Sequence, residues 1–493
     1  MMRRAGNWLA LVCGIGVVYA CDSSDAKKSV RMDPEGGAAG APAAGQGGVV
    51  DSFGGAPEAG ATLGGAGAGG AEGGAGGEAP AVDAGAGGQA IVTPPTCNET
   101  CPEGACVFDT CLGTSEVDTL VNLTTTPIST NRLCAEAPVY AVSALTDTTA
   151  TLATNVVAGC LNPGDEVLLI NLQGAPGAVA NVGAWELLRV SDVQASSVSF
   201  SAAKMRHYGA ASDDDSAIGV GANQQRVALL RVPRFGVLSV ADTATLTANP
   251  WDGQVGGVVA LRAGRLNLAG SIDASDLGYR PGRASVDDIT CSNSLQTEAG
   301  ESIAGLGTAT SAANFGASGG VGPGSASFNA NNPIIASAGH ALPGEAGTNY
   351  GGRTASAPGA AYGSADGSQL TFGSGSGGNL RCDVGSHAPL LGTTLGQAGG
   401  IVLVLADEIT LTDTASISAT PTPRRELAFS GGYVLLRGQT LTLGEGRITA
   451  LGGVGKNGNA PTATFENHGG PGYIVLDAPS VSGTTTPAAT LLQ

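Results

Sequence analysis

The chain has 493 residues, of which 80 are glycine, 13% charged and 4% aromatic; glycine is about twice, and charge about half, its usual share. Acidic side chains outnumber basic ones 41 to 23, a net −18, which argues against nucleic acid as a partner. No apolar run after the N-terminus reaches the ~18 residues of a membrane-spanning helix, so a bundle of spanning helices is excluded too.

The chain opens MMRRAGNWLALVCGIGVVYAC. Arg3 and Arg4 precede an apolar stretch, Trp8 to Tyr19, too short to span comfortably, which is the pattern of a secretory signal peptide over 1–21. Val18-Tyr19-Ala20-Cys21 resembles the bacterial lipobox, with Tyr19 an unusual residue at its place. It implies acylation of Cys21, an exported chain and a lipid anchor in the cell envelope, the outer membrane before the inner. Two acyl chains suffice for stable anchoring. Residues 22–96 are dominated by Gly, Ala, Pro and Glu, with a single aromatic, Phe53. That composition cannot form a core, so the expectation is a disordered linker with a reach of about 45–50 Å.

Four cysteines follow within 15 residues: Cys97, Cys101, Cys106 and Cys111. In an exported chain they are expected to form a disulfide knot over 97–113; a structural zinc site competes but lacks the usual C-x2-C pairs. Parity alone joins Cys134 to Cys160 and Cys291 to Cys382. Residues 118–235 carry β-patterned runs, GDEVLLINLQG (164–174), WELLRVSDV (185–193), SVSFSAA (197–203) and RVALLRVPRFGVLSV (226–240), separated by Gly, Asp and Asn turns. A small β-barrel or sandwich is expected there, its last strand feeding what comes next, or else the N-terminal cap of a solenoid.

Between residues 236 and 488 four segments share one pattern: Gly257-VVALRAGRLNLAG, Gly400-IVLVLADEITLTD, Gly432-YVLLRGQTLTLGE and Gly472-YIVLDAPSVSG. In each, a glycine precedes an apolar run, and the ninth position after it is again apolar: Leu266, Ile409, Leu441 and Val481. A second short apolar strand follows the first three, in SIDAS, SISAT and RITAL. Such units cannot bury their apolar sides alone, but stacking them does so and pairs each backbone with the next. The expected fold is all-β: a right-handed parallel β-helix over 236–488, interrupted by a Gly-rich loop insertion at 277–398. An antiparallel sandwich is the alternative. Because the apolar runs do not alternate, the sheet they form should be covered on both faces, by the preceding domain or by the insertion.

Residues 164–282 closely, and the later segments loosely, resemble a recurring module of Gly-rich bacterial cell-surface lipoproteins of the myxobacterial type, similar to proteins labelled adventurous gliding motility proteins. The run from Cys97 to Cys111 likewise resembles the Cys-rich knots that follow low-complexity tethers in myxobacterial exported proteins. The resemblance implies secretion, a β-solenoid and a surface role, and brings no catalytic residue with it.

Chemical motifs are sparse. Gly316-Ala-Ser318-Gly-Gly320 matches G-x-S-x-G but has no strand before it or helix after it in the pattern, as a nucleophile elbow requires. His207, His340, His387 and His468 stand singly, without metal-ligand spacing, and read as hydrogen-bonding loop residues. Asp213, Asp214 and Asp215 form the sharpest charge cluster; carboxylates suit calcium, the one cofactor in view, yet the EF-hand alternation is missing and a solvated turn is the plainer reading. Five positions after the rung glycines stand Arg262, Leu405, Arg437 and Asp477, and Arg437 with Asp477 would pair between neighbouring rungs. The functional expectation is a non-catalytic adhesin or scaffold meeting polysaccharide or another surface protein, with the insertion as its contact region. The alternative is a β-helix carbohydrate-active enzyme, a lyase or hydrolase, which needs converging carboxylates.

Overall fold

The computed structural model describes residues 137–283, 297–308, 312–319, 336–347, 356–378, 396–425, 427–456 and 466–492, and the backbone of four short strands before them. Those four are β1 (Gly104–Val107) paired antiparallel with β2 (Thr110–Gly113), and β3 (Leu120–Asn122) with β4 (Ser129–Thr130). Among the described residues there is no helix. The fold is all-β, with parallel sheets as its larger part.

Six antiparallel strands close a barrel: β5 (Val139–Leu145), β6 (Thr149–Leu152), β7 (Glu166–Gln173), β8 (Trp185–Gln194), β9 (Ser197–Phe200) and β10 (Arg226–Arg231), in the order β10-β5-β6-β9-β8-β7. Closure removes the free edges that six short strands would otherwise expose. Val142, Val167, Leu169, Val190, Val198, Phe200 and Leu229 fill the inside. The unbroken apolar run in β7 has a different cause. Val167 and Leu169 point into the barrel, while Leu168, Ile170 and Leu172 belong to a second core outside it.

Two residues after β10, the chain enters the parallel region. The first coil is β11 (Arg234–Val240) and β12 (Thr245–Leu246); the second is β13 (Val258–Leu268) and β14 (Ser271–Asp273). The third is β15 (Ile401–Leu411) and β16 (Ser416–Ser418), followed by β17 (Arg424–Arg425). The fourth is β18 (Tyr433–Arg437), β19 (Thr440–Thr442) and β20 (Ile448–Thr449), with β21 (Val454–Lys456) and β22 (Glu466–His468) after it. The last is β23 (Tyr473–Asp477), β24 (Ser480–Ser482) and β25 (Thr485–Thr486), before β26 (Thr490–Leu492). Long strands pair parallel in the order β11-β13-β15-β18-β23-β26, and short ones in the order β12-β14-β16-β20-β25.

The register matches the spacing in the sequence. Arg262, Leu405, Arg437 and Asp477 are successive partners, and so are Leu266, Ile409, Leu441 and Val481. Between the two sheets lies one continuous core that includes Leu261, Leu266, Val404, Ile409, Leu436, Leu441 and Ile448. Each fully buried leucine there contributes about 1.5–3 kcal/mol relative to exposure.

The outer face of the long sheet carries Val258, Ala260, Ile401, Leu403, Tyr433, Leu435 and Val475, and it is buried as well. Barrel residues Leu168, Ile170, Ala228 and Leu230 and insertion residues Ile303, Leu370 and Phe372 pack in the same cluster. Barrel and insertion share the covering that the unalternating runs require.

Candidate functional site

The residues with chemistry gather where barrel, insertion and long sheet meet. Glu166 opens β7 and Arg262 lies midway along β13. The Arg262 Nε and Nη2 donate to the two Glu166 carboxylate oxygens at 2.7 and 2.8 Å, with both side chains under a tenth exposed. Two parallel charge-assisted bonds offset the desolvation of both ions, which a single contact would not do. A second buried pair, Arg231 and Asp165, lies beside it at 3.5 Å.

The insertion is fastened to the barrel by polar bonds. Glu301, almost wholly buried, accepts from Arg280 Nε and Nη2 at 2.8 and 2.9 Å and from Gln173 Nε2 at 3.0 Å. Trp185 Nε1 donates to the Gly367 carbonyl at 2.9 Å, and Tyr279 OH to that of Leu172 at 2.5 Å. Under these bonds Trp251, Tyr279 and Phe372 pack edge-on and tilted, with ring centroids 5.2–6.2 Å apart. Burial pushes the Tyr279 phenol well above its ordinary value.

Further along the sheet, His340 is wholly enclosed. Its Nδ1 lies 2.7 Å from the Gly431 carbonyl and its Nε2 2.8 Å from the Thr371 hydroxyl. A carbonyl only accepts, so Nδ1 carries the hydrogen and Nε2 accepts from Thr371. The rings of Tyr362 and Tyr473 flank it at 4.7 and 5.0 Å. Tyr473 OH donates to the Tyr362 carbonyl and Tyr433 OH to that of Ser364, both at 2.9 Å. Burial lowers the His340 pKa to about 4, and raises those of Tyr362 and Tyr433.

Beyond these covered parts the long sheet faces solvent. Ser239, Asn267, Thr410, Thr442 and Ser482 form one exposed row across five strands, and Val237, Arg265, Glu408, Thr440 and Ser480 another. Arg265 and Glu408 pair within the second row at 2.6 Å.

The sequence-predicted residues fall in different places. Asp214 accepts from the Ala211 amide and the Ser216 hydroxyl, a bond that lowers its pKa. Asp215 accepts from the Tyr208 amide and pairs with Lys204 at 2.5 Å, while Asp213 is exposed. Two of the three carboxylates therefore organise their own loop. Among the described residues no three His, Cys, Asp or Glu side chains converge as a metal site would need. Cys160 is buried and disulfide-bonded. The backbone register sets Cys106 opposite Cys111, and Cys21, Cys97, Cys101, Cys134, Cys291 and Cys382 lie outside the described residues. Ser318 is buried and its hydroxyl accepts from the Gly377 amide, so this serine serves packing within the insertion. His468 is exposed beside Glu345, and His387 lies outside the described residues. Arg437 does donate to Asp477, at 2.6 Å.

Sequence reasoning missed the setting of His340. One signal for it was there: Tyr433 and Tyr473 each follow a rung glycine and are register partners, so a stacked tyrosine pair on the outer face called for something to meet their hydroxyls.

No family model matches the chain, and no curated protein matches it. Among solved structures, the tailspike protein gp49 from Pseudomonas phage LKA1 aligns at 14% identity and a TM-score of 0.14, covering 74% of this chain and 55% of that one.

Proposed function

We propose that this chain is an exported, lipid-anchored surface protein whose parallel coils form a right-handed β-helix and act as a rigid adhesin or scaffold. Cys21 carries the lipid, residues 22–96 supply reach, the knot at 97–113 ends the tether, and the coils supply a stiff body. The observation that supports this most is the in-register stacking from β11 to β26, tied to the barrel by the buried Glu166–Arg262 pair. Such a stack resists bending because each rung is bonded to the next along its length. The described parts of the insertion pack on the sheet, and the polar rows of Thr410, Thr442 and their neighbours add an open surface to offer to polysaccharide or to another surface protein.

The test uses the full-length chain on a panel of soluble and insoluble polysaccharides, with and without calcium. Retention without release of reducing ends is expected. Turnover of any polysaccharide would replace this reading with the carbohydrate-active enzyme. Labelling with a palmitate analogue, present in the natural chain and lost in Cys21→Ala, checks the anchor.

A further inference from the structure

His340 joins three parts of the chain that are far apart in sequence. It sits in the insertion segment 336–347, accepts from Thr371 in the segment 356–378, and donates to Gly431 in the turn before β18. Tyr362 from the second segment and Tyr473 from β23 close over its two sides. The same segments are bonded to the coils nearby, Ala338 N to Ala428 O at 3.0 Å and Ala341 N to Pro471 O at 2.9 Å. Leu370 and Phe372 of the second segment share a core with Tyr433, Leu435 and Val475 of the outer sheet face.

We propose that His340 is an acid-operated latch: a second proton on its enclosed imidazole frees the segments 336–347 and 356–378 from the long sheet and uncovers the apolar face beneath them. The latch works through desolvation. With Nδ1–H committed to a carbonyl, the added proton lands on Nε2, and the Thr371 hydroxyl must turn its own hydrogen away to accept it. The charged ring is held out of water, where its charge costs most.

The groups that face the ring are the Thr371 hydroxyl and Tyr362 ring on the insertion, and the Gly431 carbonyl and Tyr473 ring on the coils. None is a carboxylate that would stabilise the imidazolium. The ionisable pair tying the same segment to the coils, Glu345 and His468, is exposed.

The direction of the pH effect follows from the lowered value of about 4 against about 6.5 for a freed histidine. A group that protonates more readily when released holds the closed form fully above the free value. That hold is lost as pH falls towards the closed one. Between pH 8 and pH 5 the opening equilibrium should rise about thirtyfold. Carboxylates with ordinary values are still mainly ionised at pH 5.

The experiment is amide hydrogen exchange on the full-length chain at pH 8 and pH 5, expressed as protection factors so that intrinsic pH dependence cancels. The amides of Ala338, Ala341 and Tyr362 should lose about thirtyfold protection, while those of β7 in the barrel keep theirs. In His340→Asn, which keeps a donor near the Nδ1 position and cannot take up a proton, the loss should vanish. Flat protection in the natural chain, an equal fall in β7, or an undiminished fall in His340→Asn would each overturn the latch.

Discussion

The long strands β13 and β15 each pass through two environments. From Val258 to Ala263, and from Ile401 to Ala406, every residue is buried; after that, exposed and buried residues alternate. The first half is sandwiched between the inner core and the barrel with the insertion, and the second half has water on its outer side. A strand covered on both faces reads as a continuous apolar run, and a half-covered one as an alternation. The same backbone therefore changes its sequence code within eleven residues, and the changeover marks where the covering ends.

The largest test of that contrast is at the buried pair. Glu166→Leu strips the Arg262 guanidinium of its bidentate partner and should cost about 3–5 kcal/mol, read as unfolding free energy in urea. Adding Arg262→Met should recover most of it, because the second charge then no longer has to be buried. If Glu166→Leu is nearly neutral, the barrel is not fastened to the covered half through this pair.

A medium effect is expected at the rung glycines. Gly432 lies against the backbone of Gly400, and a Cβ there would press into the Gly400 carbonyl oxygen. Gly432→Ala should cost about 1–3 kcal/mol, as overpacking does. A fall in protection confined to β18 and its neighbours β15 and β23, with the barrel unchanged, would show that the cost is paid where coils approach most closely.

These positions also indicate how much was legible in advance. Glycine before each of the four repeated runs, and the fixed offsets to Arg262 and Leu266, Leu405 and Ile409, or Arg437 and Leu441, were readable because a repeat compares the chain with itself. The barrel was readable only as strands. Nothing in a single pass through residues 139–231 says that β10 returns to pair with both β5 and β7. The candidate site was least readable of all. Its members, Glu166 with Arg262, Gln173 with Glu301 and His340 with Gly431, are separated by 96, 128 and 91 residues, and no local pattern links such distant partners. The insertion was legible as one of two candidates for covering the sheet, but not in its packing. Its Gly, Ala and Ser content reads as loop, and such small residues allow backbone to lie close on backbone, as Gly373 does against Ser430 and Gly431.

The smallest expected effect belongs to the open half. Thr442 is exposed on β19, between Thr410 and Ser482, and its side chain points away from the core that Leu441 enters. Thr442→Lys places a charge in water on an already paired strand, so stability should move by no more than about 0.5 kcal/mol. The same change should nonetheless weaken retention on any polysaccharide that the natural chain holds, because lysine breaks a row of hydroxyls with a long charged stem. Unchanged stability with lost retention separates the open half, where the outer residues are free to serve contact, from the covered half, where each is committed to packing. A stability loss of several kcal/mol at Thr442 would mean that this half is covered as well, and the contrast between the two ends of β13 and β15 would fail.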